Sequence, residues 1–246
     1  MISARPYIKS VFFQEEATKN KRGYPYDIPA IRQCEDIKFH ADVTFFIGEN
    51  GSGKSTLLEA IAVAYGFNPE GGTKSAQFEV HNTHSDLYKE IKLSKSYKTP
   101  GDAYFLRAES FYNVATKAEE FGVLKSYGGK SLHEQSHGEA FLATLMHKLT
   151  GNGLYLLDEP EAALSPARQL TAISLIHQLV QQDSQFIIAT HSPIIMAYPN
   201  AKIYEFSAEG VKEVRYDETE HYQITRSFLD NPEVSLKLLM ENEEEE

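Results

Sequence analysis

The chain has 246 residues, 41% of them hydrophobic and 24% charged, with a formal net charge of −11 and a single cysteine, Cys34. That length can bury a full α/β core, and the acidic balance, with five of the negative charges in the terminal ENEEEE, argues against a general polyanion-binding surface. One cysteine excludes an internal disulfide and a cysteine-rich metal site; no apolar run approaches the roughly 18 residues of a membrane span, and the N-terminus lacks the apolar core of a signal peptide. A soluble, cytoplasmic protein without membrane insertion is therefore expected.

In chain order, Tyr7 to Phe13 reads as an opening strand, followed by a charged, glycine- and proline-bearing loop. Tyr24 and Tyr26 in that loop are either candidates to stack on a nucleotide base or ordinary loop and core tyrosines. Glu35 to His40 reads as a further strand. Val43 to Ile47, VTFFI, is a short β-branched and aromatic run, and Leu57, Leu58, Ile61, Ala62 and Tyr65 then recur at helical spacing until Gly66 stops them.

Between that strand and that helix lies GENGSGKST, Gly48 to Thr56, which fits G-x-x-x-x-G-K-[ST] without mismatch. The pattern has a physical reason. Gly48, Gly51 and Gly53, with Glu49, Asn50 and Ser52 between them, let successive backbone N–H groups turn inward around a phosphate; Lys54 reaches the β- and γ-phosphates, and the Ser55 hydroxyl ligates Mg²⁺. Binding of ATP or GTP is expected.

Further along, Phe78 to Lys98 reads as short strands, with Ile91, Leu93 and Tyr97 alternating against Lys92, Ser94 and Lys98, while His81 and His84 lack the further ligands of a metal site. Asp102 to Arg107 is another strand, Glu109 to Phe121 has helical character, and Gly122 to Gln135 reads as a mobile connection. Ser136-His137-Gly138-Glu139 opens an amphipathic helix running to about Leu149. Leu154 to Leu157 is an apolar run suited to a parallel strand covered on both faces, and it delivers Asp158 and Glu159 at its end. Beside a phosphate loop, Asp158 is placed for the Mg²⁺ shell and Glu159 for polarising a water.

Ser165-Pro166 starts a helix to about Gln182, Phe186 to Thr190 is the next core strand with His191 at its exit, and Ser192-Pro193 repeats the helix-start chemistry. Ile203 to Phe206 and Val211 to Arg215 read as a hairpin. Helical segments Tyr222 to Leu229 and Pro232 to Met240 precede an acidic tail expected to be disordered.

Taken together, these residues resemble the ATP-binding cassette (ABC) ATPases, and look most like the SMC and RecF type and similar stand-alone bacterial ATPases. The resemblance spans Tyr7 to Phe206. GENGSGKST matches the Walker A loop, LYLLDEP the Walker B strand, and ATHS the switch histidine, His191; QSHGE stands for the signature, with His137 replacing a glycine, and AALSP for the D-loop, with Ser165 replacing an Asp. Ser136 and Asp158 are 22 residues apart, and Glu159 and His191 are 32 apart, both close to the family's arrangement.

The resemblance implies an α/β P-loop NTPase fold, an ABC-ATPase head with a mixed sheet, as a single domain over 1–240 with a small helical signature subdomain at about 109–150 and a tail at 241–246. It implies Glu159, His191 and Lys54 as catalytic residues, Ser55 and Asp158 as Mg²⁺ ligands with Glu109 as a further candidate at the Q-loop, and Ser136, Gly138 and Glu139 acting in trans on the nucleotide of a second head. ATP and Mg²⁺ are the implied cofactors, and an ATP-dependent homodimer with a DNA or protein partner the implied assembly. Three roles follow: an ATPase in DNA repair, nucleic-acid surveillance or defence; the ATPase subunit of a membrane transporter; or a slow ATP-dependent interaction switch.

Overall fold

The computed structural model describes residues 5–14, 21–74, 85–122 and 124–241. Its strands are β1 (Ile8–Phe13), β2 (Ile37–Lys38), β3 (Val43–Gly48), β4 (Gly72–Thr73), β5 (Ile91–Lys95), β6 (Asp102–Arg107), β7 (Gly153–Asp158), β8 (Gln185–Ala189), β9 (Lys202–Ser207) and β10 (Gly210–Val214). The α-helices are α1 (Pro29–Arg32), α2 (Lys54–Tyr65), α3 (Phe111–Glu120), α4 (His137–Ala143), α5 (Pro166–Gln181), α6 (Glu220–Asp230) and α7 (Pro232–Glu241).

Strands β3, β7 and β8 are buried at every position, and their apolar runs take the centre of a seven-stranded sheet ordered β10-β9-β3-β8-β7-β6-β4. Pairing is parallel from β9 through β6 and antiparallel at both edges, so the sheet is mixed, as the family resemblance implied. Successive side chains point to opposite faces. Phe45, Leu157 and Ile188 pack with α3, α4 and α5 on one face; Phe46, Leu156 and Ile187 pack on the other with α2 and a three-stranded antiparallel sheet ordered β2-β1-β5.

The two sheets are joined partly through Gln185, whose side chain is fully buried. Its Nε2 donates to the Ile8 and His40 carbonyls, each at 2.9 Å, while its Oε1 accepts the Ile8 N–H at 3.0 Å. The Tyr7 hydroxyl adds a bond of 2.7 Å to Asn152.

In the parallel strands Arg107 lies opposite Asp158, and Asp158 opposite Ala189. Their carboxyl ends therefore form one edge, where ligands of open parallel sheets bind.

Several expectations are corrected. The strand foreseen over Glu35 to His40 reduces to Ile37–Lys38. β5 stops at Lys95, leaving Tyr97 71% exposed rather than alternating inward. The helix opened by Ser136 stays α-helical only to Ala143 and widens to a π-turn over Thr144–Lys148; buried Thr144 donates its hydroxyl to the Ala140 carbonyl at 2.9 Å, competing for the helix's own acceptor. The 122–135 connection is tethered, because Tyr127 and Leu132 are buried and the Tyr127 hydroxyl meets that of Tyr104 at 3.1 Å. Ser192 does cap the Ile194 and Ile195 N–H groups, yet only a 3₁₀ turn, Ile195–Ala197, follows before Pro199. His81 and His84 and the tail from residue 242 lie outside the described residues.

Candidate nucleotide-binding site

The loop after β3 closes on two glycines whose backbone angles and close neighbours disfavour any side chain. Gly48 has φ +135° and a Cβ there would stand 2.3 Å from the Phe206 carbonyl oxygen; Gly53, with φ +100°, would press a Cβ to 3.1 Å against Ile28 and Ile31. Gly53 is also the N-cap of α2, which has no side-chain cap, so the N–H groups of its first turn and the positive end of the helix dipole face the loop.

Lys54 begins that helix, is 3% exposed, and folds back to donate to the carbonyls of Gly48 at 2.9 Å and Glu49 at 2.8 Å. Burial lowers its pKa, opposed by the nearby charges of Glu159, Asp158 and Glu161. The Tyr24 hydroxyl lies 3.1 Å from Thr56 Oγ1 with the side chain 70% exposed, whereas Tyr26 is buried in the core. Only Tyr24 of the two offers a free ring beside the loop. A cleft on the loop's other flank is lined by Pro29, Glu49, Phe206, Glu218, His221 and Gln223.

Asp158 ends β7 and is buried. Its pKa is pushed up to about 6 by burial, which the Ser55 hydroxyl and Arg107 oppose and the charges of Glu159 and Glu109 reinforce. One carboxylate oxygen, Oδ1, has no hydrogen-bond partner. A buried, unpartnered carboxylate oxygen beside a hydroxyl that already touches the same group is a fitting pair of ligands for Mg²⁺, which takes one or two protein oxygens and completes its shell with phosphate and water. Among the described residues no cluster of three or more His, Cys, Asp or Glu side chains offers an all-protein metal site.

Arg107, at the end of β6, holds this edge together. It reaches Glu59 of α2 at 2.7 Å, the Pro69 carbonyl at 3.3 Å, Asp158 at 3.6 Å and Glu109 at 3.4 Å. Glu109 itself is 81% exposed at the side chain. Glu159 has left-handed backbone angles, φ 50° and ψ 53°, rare for a residue with a Cβ, and its N–H is fixed to the Ala189 carbonyl at 2.9 Å. That turn carries its carboxylate to 3.6 Å from Nε2 of His191.

The His191 backbone N–H donates to half-buried Glu161, and its ring Nδ1 meets Nε2 of His221, from α6, at 3.3 Å. Burial, with Lys54 and His221 nearby, lowers the His191 pKa to about 4. The ring is neutral at physiological pH.

The signature candidates lie at the start of α4. Ser136 is its N-cap in a reciprocal capping box with Glu139, and Arg168 of α5 bonds both, to Ser136 Oγ at 3.2 Å and to Glu139 at 3.0 Å. Gly138 is needed because a Cβ would stand 2.5 Å from the Ala163 carbonyl oxygen, in the segment following Glu159. Ser136, His137 and Glu139 are exposed.

Sequence reading missed Arg107, Glu59, Glu161, Arg168 and His221. Arg107, Glu161, Glu59 and Arg168 each sit within three residues of a recognised position, a signal that was available; His221 meets the site across 30 residues of chain and carried none.

A glycine loop between a central parallel strand and a helix, with a buried lysine and an acidic pair on the next strand but one, defines a P-loop nucleotide-binding fold. The AAA-domain family profile matches residues 19–138. Curated relatives include the macrolide export ATP-binding/permease protein MacB of Campylobacter jejuni, 22% identical over 74% of this chain and 31% of the relative. Another is the phosphate import ATP-binding protein PstB 1 of Streptococcus agalactiae, 27% identical over 65% of this chain and 73% of the relative. The chain spans about a third or less of the length of the first curated relatives it matches. Similar solved structures include cbiO1 from Clostridium perfringens, described as part of an ABC transporter complex, with TM-score 0.49 and 19% identity over 95% of this chain and 99% of that one. The SMC head domain from Thermotoga maritima gives TM-score 0.44 and 16% identity over 84% and 98%. The chain thus combines a P-loop fold with ordered motifs that resemble those of the ABC-type ATPases.

Proposed function

We propose that this protein binds and hydrolyses ATP with Mg²⁺ as an ABC-type ATPase, one of a pair of heads closed on ATP in the manner of SMC and RecF proteins, and that it serves DNA repair, nucleic-acid surveillance or defence. The observation that carries the chemistry is the unpartnered Oδ1 of Asp158 beside Ser55. In this reading Lys54 and the first turn of α2 hold the β- and γ-phosphates, Ser55 and Asp158 hold Mg²⁺, which would neutralise phosphate charge, and Tyr24 carries the base. Glu159 accepts a proton from the attacking water, its carboxylate set by the left-handed turn, and the neutral ring of His191 donates to the γ-phosphate. Glu109, close enough to Asp158 to raise its pKa, is a candidate second anchor for the metal's waters.

Support for the biological role is the DEPEAALSP segment and a signature ending in Glu139, together with Glu109 where transporter subunits have their coupling glutamine. The second reading, a transporter ATPase subunit with a separate membrane partner, draws on relatives whose names carry import or export. No described helix is long and apolar enough to cross a membrane. Turnover measured with and without Mg²⁺, double-stranded DNA, single-stranded DNA and RNA tests the first reading. It requires Mg²⁺ dependence and stimulation by at least one nucleic acid; Mg²⁺-dependent turnover indifferent to all three would favour the second.

A further inference from the structure

Of the side chains that the described C-terminal helices bring beside the phosphate loop, one meets His191 directly, and no motif points to it. His221 is the second residue of α6, half-buried, and its Nε2 stands 3.3 Å from Nδ1 of His191, with the rings 5.5 Å apart. The other nitrogen of each ring, Nε2 of His191 and Nδ1 of His221, is buried without a hydrogen-bond partner. We infer that His221 is a positioning residue for catalysis: it donates its Nε2 proton to Nδ1 of His191, fixing the tautomer in which His191 presents an Nε2–H donor to the reacting phosphate. This inference rests on the reading of His191 as the γ-phosphate sensor.

The argument is one of counting protons. A hydrogen bond between two neutral imidazoles holds one proton, so two arrangements exist. If His191 donated, its Nε2 would turn a lone pair toward the Glu159 carboxylate 3.6 Å away, and His221 would bury an unpaired N–H. Orphaned buried N–H groups are rare and costly, and a lone pair facing a carboxylate is repulsive. If His221 donates, the Nε2–H of His191 faces the Glu159 carboxylate 3.6 Å away, an attractive contact although too long for a hydrogen bond, and His221 buries a lone pair instead of an N–H. The second arrangement therefore wins without needing any ligand. Both rings have lowered pKa values, burial being the largest cause and Lys54 the next, which keeps the pair neutral. The position of His191 is fixed independently by Glu161, which holds its backbone N–H, so α6 governs the ring's proton rather than its place.

This is the arrangement by which a ligand's partner sets which nitrogen of a histidine carries the proton, and losing such a partner typically lowers activity about 10- to 100-fold. The direct test is the nitrogen NMR of His191 in the nucleotide-free wild-type protein, with the resonance assigned by its absence in His191→Ala. An Nε2-protonated ring is expected; an Nδ1-protonated ring overturns the inference, whatever the kinetics. The kinetic test compares His221→Phe, which keeps the ring volume and removes the donor, with His221→Gln, whose amide can donate in its place.

His221→Phe should lower kcat about tenfold with KM for ATP within about twofold, and His221→Gln should recover most of the loss. In the His191→Ala background, His221→Phe should cost nothing further; an additive loss would show that His221 acts elsewhere and would overturn the assignment. If His191→Ala itself turns over like wild type, the sensor reading falls, while the NMR result still decides the tautomer. If His191→Ala is slow and His221→Phe is not, the sensor stands and the positioning role falls. Should His221→Phe fail to fold, the wild-type spectrum decides alone.

Discussion

Asp158, placed in the proposed Mg²⁺ shell, carries a cost to the fold. Its folded pKa of about 6 lies above the ordinary 3.8, so its stability contribution is fully present below the lower value and is lost as pH rises through the higher one. At pH 7 the difference amounts to about 3 kcal/mol against the nucleotide-free protein. Asp158→Asn should therefore raise stability in urea at pH 7 by up to that amount while abolishing Mg²⁺-dependent hydrolysis. His191 acts in the opposite sense: its folded pKa is depressed from 6.5 to about 4, so it contributes stability above pH 6.5 that is lost as pH falls toward 4. The two nearly oppose each other between pH 4 and 6.5 in the wild type. In Asp158→Asn only the His191 contribution of the pair remains, and urea midpoints at pH 7, 5.5 and 4.5 should fall more steeply than in the parent.

At the scale of elements, the edge that carries the candidate site depends on contacts that join strands to helices. Arg107 ties β6 to Glu59 of α2 and to Asp158 of β7, all three side chains being 16% exposed or less. Arg107→Ala leaves two buried carboxylates without their cation and should cost about 3 kcal/mol, read from chemical denaturation. Arg168 and Ser136 pose a different question, because Ser136 caps α4 whether or not it also reads a second head's phosphate. Ser136→Asp separates these roles. An aspartate caps a helix as well as serine, so the denaturation midpoint should hardly move, yet its charge would repel a phosphate and ATP-dependent association should be lost.

What the sequence made legible divides along the same line. The phosphate loop, the DE pair and the strand before His191 announce themselves because their chemistry needs neighbouring residues and glycine backbones at fixed spacing. Arg107–Glu59 and His191–His221 are made by the strand order, and Arg168–Ser136 by how α5 lies against α4. The π-turn at Thr144 was equally hidden, since its cause is a hydroxyl competing for a carbonyl, not a break in hydrophobic period.

For the molecule as a whole, the proposed pairing of heads makes the bound nucleotide part of an interface. Glu159→Gln keeps the side chain's size and removes its basicity, so hydrolysis should fall about 10²- to 10⁴-fold with ATP still held. Light scattering of this variant should then report twice the monomer mass with ATP and Mg²⁺ and the monomer without them. A monomer in both conditions, at ATP concentrations where binding is demonstrated, would remove the paired-head reading and leave α4 a helix capped for its own sake.

The amide of Gln185 has a mechanical consequence. It stands where a strand's own peptide group would stand, so the small sheet is fastened to the large one by side-chain rivets rather than by a ladder. A ladder opens one rung at a time from its end; a rivet holds or shears. The Ile8 amide, which rests on that rivet, should exchange with deuterium as slowly as the amides of β3 and β8. Gln185→Leu should speed its exchange about tenfold or more and leave those central amides unchanged.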